Sequence, residues 1–322
     1  MEGVGILKKR GIIPFVFTAF LLVFISLVIW FLKEDNKPKV IFVGQRLDTE
    51  YWKIIESGAK EGFRDFDIEG EVLAPDSVYP ISNQPNLLKT VLKQHPDALI
   101  VTPTVPADTI PVLEEYKKNN IPVIFASRDI EWEHKTSYIG TDHYALGKTA
   151  GKLLGSMVYP GEQVAIIYGG QDDQAMIDRK NGMKKVLEDI GIEIVTEQSG
   201  YDQFGNPKPV IGAILQKHPD IQGIVTTSDR LALDVLKTLE KKEVNIPVIG
   251  TDGITDMVES IEAGKMNATI AQNPYDIGYL SVEQAKKAID GAKTEKRIDS
   301  GIDIITEGNA NERLNFIQKL LD

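Results

Sequence analysis

The sequence predicts an α/β protein: two similar lobes, each a parallel sheet covered by helices, set behind one membrane-spanning helix. Three observations predict it. From position 39 onward, short runs rich in Val and Ile alternate with helical patterns, as in strands buried on both faces and joined by crossover helices. Two signals recur in the same order: "KQHPDALIVT" at 93–102 returns as "QKHPDIQGIVT" at 216–226, and "NNIPVIFASRD" at 119–129 returns as "VNIPVIGTDG" at 244–253. The third observation is "GIIPFVFTAFLLVFISLVIWFL" at 11–32, which is 22 residues without a charge.

The opening segment comes first in order. As a helix it would rise about 33 Å, enough for a hydrocarbon core of about 30 Å. "KKR" precedes it and Trp30 stands near its far end, which places the N-terminus in the cytoplasm and the body outside. The rival is a cleaved secretory signal, whose apolar core is shorter and ends at small residues. This run ends "VIWFLKEDNK", with nothing small beside which to cut. Retention is therefore expected, with 1–36 forming a cytoplasmic tail, the anchor and a short polar stalk.

The body then reads as strand and helix in turn. A β-branched run at 40–44 leads to a helical pattern ending near 64, then "EGEVLAP", a helix near 83–94, "DALIVT", a helix near 107–119 and "IPVIFAS". "VAIIY", "GIVT", "PVIG" and "ATIAQ" continue the series in the second half. Taken singly, "HPD" and "NIP" are ordinary helix-to-strand turns. That does not explain the shared offset, 123 residues between His95 and His218 and 125 between the two Ile-Pro pairs. With 322 residues and 42% hydrophobic content, two cores are affordable.

Composition removes several functions. The first 36 residues balance to +1, so the rest carries −12 of a total of −11; an acidic body lacks the basic footprint of nucleic-acid binding. The chain has no cysteine, which excludes disulfides, thiolate metal sites, a thiol nucleophile and a lipidated N-terminal Cys. There is no G-x-G-x-x-G, no phosphate-binding G-x-x-x-x-G-K-[ST] and no G-x-S-x-G elbow. The four His, at 95, 134, 143 and 218, show no metal-ligand spacing. Asp172-Asp173 could pair for catalysis, but at the start of a helical pattern they suit the helix dipole. No enzyme activity, cofactor or metal is expected.

In open parallel sheets, ligands lie beyond the carboxyl ends of strands. Those ends carry 45–52, which includes the aromatics Tyr51 and Trp52, then Thr102, and Ser127-Arg128-Asp129 in the first half. In the second half they carry 169–173, Thr227-Ser228-Asp229, Thr251-Asp252 and Gln272-Asn273. Hydroxyls, carboxylates, arginines, amides and two aromatics suit a neutral polyol: rings pack on its C–H faces, and charged groups bond its hydroxyls. Each residue alone could equally be a turn or a helix cap.

At these residues the sequence resembles the type I periplasmic sugar-binding proteins, the ribose- and galactose-binding group that also supplies the effector domain of LacI-type repressors. "VIGTDG", "AGKMNATIAQNPYDIGYLSVEQA", "IPVIFASRD", "SYIGTDHYALGKTAGKLL" and "DRKNGMKKVLEDIGI" carry the resemblance, which covers about 39–310. It implies two Rossmann-like lobes joined by three crossovers, near Thr141-Asp142, Gln272-Asn273 and 300–302. The lobes would be 37–141 plus 273–301, and 142–272 plus 302–322. The family's stacking aromatics match Tyr51 and Trp52, and its two arginines match Arg128 and Arg179. Its aspartate matches Asp252, its hinge glutamine Gln272, and Asp142 falls at the first crossover. Where the family often has "NPFF" this chain has "TEYW". Ser127 replaces a usual carboxylate, Ser228 an Asn, and Thr102 an Asn or Asp. These departures bear on which sugar, not on where it binds.

A helix-turn-helix precedes this fold in the repressors; here the apolar segment occupies that place. The resemblance, with a retained anchor, implies a receptor at a bacterial cell membrane that closes on a monosaccharide-like ligand and signals to a membrane partner such as a sensor histidine kinase. The alternative is the substrate-binding component of an ABC sugar transporter. A structural surface protein with a vestigial cleft is the reading without a ligand.

Overall fold

The computed structural model describes residues 37–75, 80–170, 173–200 and 210–321. The predicted membrane span at 11–32 lies outside them, as does Asp172. Among the described residues no helix is long and apolar enough to cross a membrane.

From Lys39 onward the described residues form two six-stranded sheets of matching order. The first contains β1 (Lys39–Val43), β2 (Glu69–Leu73), β3 (Ala98–Val101), β4 (Val123–Ala126), β5 (Ser137–Gly140) and β11 (Arg297–Asp299), ordered β11-β5-β4-β3-β1-β2 and parallel throughout. The second contains β6 (Gln163–Tyr168), β7 (Glu193–Ser199), β8 (Ile221–Thr226), β9 (Val248–Asp252), β10 (Ala268–Gln272) and β12 (Ile302–Ile305), ordered β12-β10-β9-β8-β6-β7. It is parallel except for β12, which runs antiparallel to β10. The two repeated sequence signals occupy matching places, β3 with β8 and β4 with β9. They mark two copies of one architecture, as the shared offset predicts.

Why these runs form central strands is visible in their burial. Every residue of "ALIV" and "VIFA" is buried. Along β1, Val40 and Phe42 join the cluster under one helical layer, while Ile41 and Val43 join the cluster under the other. That is the two-residue alternation of a strand with both faces covered, at about 1.5–3 kcal/mol for each buried aliphatic side chain.

Helices α1 (Glu50–Asp65), α2 (Pro80–Leu92), α3 (Pro106–Lys118) and α9 (Pro274–Ile289) cover the first sheet. The second carries α4 (His143–Gly155), α5 (Gln174–Asp189), α6 (Val210–Lys217), α7 (Asp229–Lys242), α8 (Thr255–Glu262) and α10 (Glu307–Leu321). Helices α4 and α5 touch backbone to backbone. A Cβ on Gly147 would meet the Arg179 carbonyl oxygen at 2.0 Å, and one on Gly182 the Tyr144 oxygen at 2.3 Å. Only glycine permits that approach, and it seats α5, which carries Arg179.

Among the described residues the chain passes between the sheets at three places: from β5 through Thr141-Asp142 into α4, from β10 into α9, and from β11 through Ser300-Gly301 into β12. The passages are bonded to one another. Thr141 Oγ1 donates to Gln272 Oε1 at 3.1 Å and lies 3.3 Å from Ser300 Oγ, and the Asp142 N–H donates to Asp299 Oδ1 at 3.1 Å. The hinge is therefore a cross-braced bundle of backbone rather than three loose linkers.

Candidate ligand-binding site

The strand ends of both lobes face a shared cavity of about 510 Å³. Six of the seven sequence-predicted residues line it: Tyr51, Trp52, Arg128, Arg179, Asp252 and Gln272. Asp142 does not. Helix α4 begins at the next residue, and the Asp142 carboxylate turns back to cap it, accepting the Ala145 N–H at 2.9 Å. The side chain belongs to the hinge and not to the cavity wall.

The second-lobe wall is a connected network. Arg179 is 1% exposed. Its Nη1 donates to Asp252 Oδ1 at 2.7 Å, to the Thr227 carbonyl at 3.0 Å and to Thr251 Oγ1 at 3.2 Å, while Nε donates to His143 Nδ1 at 3.3 Å. Gln272 Nε2 donates to the same Asp252 oxygen at 3.0 Å, and its Oε1 accepts from the hinge residue Thr141. One glutamine thus ties the cavity carboxylate to the crossover bundle. Burial, then the guanidinium of Arg179 and that of Arg297, push the pKa of His143 down to about 3. The imidazole is therefore neutral and free to accept from Arg179.

Asp229 stands behind this wall, fully buried. Its Oδ2 accepts the N–H groups of Gly253 and Ile254 at 2.6 and 3.0 Å, and Oδ1 accepts the Thr269 hydroxyl at 2.6 Å. Burial and the nearby Asp252 charge raise its pKa to about 7 against the effect of those donors. The loop it holds is strained: Asp252 has φ 140° and Gly253 φ 77°. A Cβ on Gly253 would meet that of Ala271 at 2.4 Å. Ser127, at the end of β4 in the first lobe, has φ 66°. Strained non-glycine residues at strand ends, held by surrounding bonds, are characteristic of functional loops.

The first-lobe wall is looser. Tyr51 Oη and Ser127 Oγ lie 2.9 Å apart, and burial raises the Tyr51 pKa to about 12, so the phenol stays neutral. Tyr51 and Trp52 pack edge to face at 5.2 Å. Trp52 is only 8% exposed; most of its ring belongs to the core and a small part to the cavity. The Arg128 side chain is 44% exposed and 4.0 Å from Asp173 of the opposite lobe, with a long bond of 3.4 Å to the Thr104 carbonyl.

Sequence reasoning missed several lining residues, among them His143, Arg230 and Arg313; Glu50 and Asp173 also line the cavity, within strand-end stretches it named without singling them out. Asp173 does serve the helix dipole as expected, capping α5 through the Ala175 N–H at 2.9 Å, but it also faces the cavity. Among the described residues no group of three or more His, Asp and Glu side chains could hold a metal ion.

Comparison with known proteins places this geometry. The "Periplasmic binding protein domain" family matches residues 40–293. The ribose import binding protein of Bacillus subtilis is 28% identical over 237 residues, 74% of this chain and 77% of that one. A periplasmic solute binding protein of an ABC transporter from Actinobacillus succinogenes, solved with bound D-allose, superposes with a TM-score of 0.74 at 25% identity, covering 86% of this chain and 100% of that one. The periplasmic ribose ABC transporter structure from Conexibacter woesei gives a TM-score of 0.80 at 20% identity over 87% of this chain and 95% of that one, a likeness of fold.

Proposed function

The chain belongs to the periplasmic binding protein family, and on that premise we propose that it captures a monosaccharide-like sugar outside the cytoplasm and delivers it to an ABC permease. The observation that carries the reading is the inter-lobe cavity, where Arg179, Asp252 and Gln272 meet Tyr51, Trp52 and Arg128. Fixed charged donors and acceptors opposite aromatic edges suit a ring bearing hydroxyls. Asp252 offers a carboxylate already oriented by two donors, and Arg128 offers an incompletely bonded guanidinium from the other side. Closure of the lobes on the sugar would couple through Gln272 to the crossovers.

Delivery is favoured over signalling to a sensor histidine kinase because the similar proteins are described as import and ABC-transporter components. The sequence-predicted anchor at 11–32 fits delivery as well, since a tether keeps a receptor beside its permease. A binding role is favoured over catalysis because the similar proteins are described as binding proteins.

Isothermal calorimetry of the full chain in detergent, titrated with D-ribose, D-allose and other pentoses and hexoses, tests the reading. Saturable one-site binding to at least one of them is expected; heats of dilution across the whole panel would overturn it. In cells, deletion of the chain should abolish uptake of the bound sugar and leave sugar-responsive transcription intact, and the reverse outcome would restore signalling.

A further inference from the structure

Helix α8 opens without a cap of its own. Its N-cap position is Ile254, whose side chain accepts nothing, although the first N–H groups of a helix need partners. Asp229 accepts from Gly253 and Ile254 just upstream. The next donor, the Thr255 N–H, finds its acceptor across the cleft: Glu50 Oε1, at the start of α1 in the first lobe, lies 3.1 Å away. Both residues line the cavity. A second cross-lobe contact, Arg128 with Asp173 at 4.0 Å, spans it as well. Asp173 is itself the cap of α5. Each bridge therefore joins a helix start of the second lobe to a side chain of the first.

We propose that Glu50 is a closure residue: it supplies the missing cap of α8 from the opposite lobe, and so favours the shut arrangement before any sugar arrives. This rests on the binding reading above, and it adds a reason why affinity depends on a residue that need not touch the ligand. The cap forms only when the lobes meet. A carboxylate facing a helix N-terminus gains from the dipole as well as the bond. Opening the cleft would leave the Thr255 N–H and the Glu50 carboxylate to water, and the shut state carries a buried Thr255 hydroxyl with no partner. The two effects oppose, which keeps the bias modest and the cleft able to release its cargo. Because the bias acts on the apo equilibrium, its loss weakens every ligand by the same factor.

The chain contains no cysteine, so Lys60→Cys in the first lobe and Lys265→Cys in the second, both at exposed positions, would be unique sites for spin labels. Pulsed electron resonance on the full chain in detergent, without sugar, should resolve a short-distance population beside a longer one. Glu50→Ala should shift the population to a longer distance, and Glu50→Gln, which keeps an acceptor oxygen but no charge, should fall between. Calorimetry of Glu50→Ala should show affinities for all bound sugars reduced by a common factor of about fivefold, with their rank order kept. The proposal is overturned if the labelled parent shows only the longer distance without sugar, or if Glu50→Ala leaves the apo distribution unchanged. A loss confined to one sugar would likewise overturn it, marking Glu50 as a direct ligand contact. The apo distances need no ligand, so a failed sugar panel alone would count against the binding reading and not against the cap.

Discussion

The two lobes share a strand order but build their cavity walls differently. Among the described residues, the acidic and basic side chains with almost no exposure, Arg179 and Asp229, both belong to the second lobe. The first lobe buries amides and hydroxyls, such as Gln84, Thr102 and Thr104, and leaves its one cavity arginine, Arg128, 44% exposed. A buried charge holds its place only when every neighbour is fixed. The second lobe therefore presents a wall set in advance, and the first a wall that adjusts. Binding would begin on the set wall and finish by movement of the other.

The sharpest way to break this contrast is Arg179→Ala. It removes the cation beside Asp252 and leaves a buried cavity, so the unfolding free energy should fall by about 3–5 kcal/mol, with sugar binding lost. Denaturant unfolding with calorimetry of the same variant would check it. A loss below about 1 kcal/mol would mean that the network is not what organises the second lobe.

The next effect is on pH dependence. Asp229 carries a folded pKa of about 7 against an ordinary value of 3.8, so the folded chain holds a proton that the unfolded chain has released. Its contribution to stability is full below about pH 4 and lost as the pH rises toward 7. His143 runs the other way, about 3 against 6.5: its contribution is full above about pH 6.5 and lost as the pH falls. The two offset one another in the parent. Melting temperature should climb from pH 4 to 6.5 in Asp229→Asn, fall over the same range in His143→Gln, and keep the parental profile in Arg128→Ala. Parental profiles in all three would remove the buried charges from the account.

Smaller effects belong to the first lobe. Arg128→Ala should weaken sugar affinity by about 1–2 kcal/mol with the melting temperature unchanged, because its bonds to protein are long and solvated. An equal loss of stability would erase the contrast between the walls. Smallest is Tyr51→Phe, which frees Ser127 from a hydroxyl partner and should cost about 0.5–1.5 kcal/mol in affinity, read by the same titration.

The lobes were legible because their central strands are buried on both faces and must read as continuous apolar runs, and because the repeat returned at one offset. The cavity was legible where a strand's carboxyl end is also the site, as at Arg128, Asp252 and Gln272. Asp142 stands apart because a strand end followed at once by a helix gives its carboxylate a nearer partner. Arg313 was invisible for a different reason: it reaches the cavity from α10, which enters only after the last crossover. Glu50 left one faint sign, an acidic residue inside the strand-end stretch 45–52, just before the two aromatics.

The crossovers have a consequence for how the chain is made. Strand β11 completes the first sheet against β5, pairing Arg297 with Tyr138, and β12 completes the second against β10, pairing Ile305 with Thr269. One edge strand of each sheet is thus supplied by 297–305, after the strands it joins. Neither half can finish folding while the ribosome is still adding those residues, and contacts so distant in sequence form slowly. Until then both sheets wait for an edge strand, and a truncation before β11 would strip both halves together.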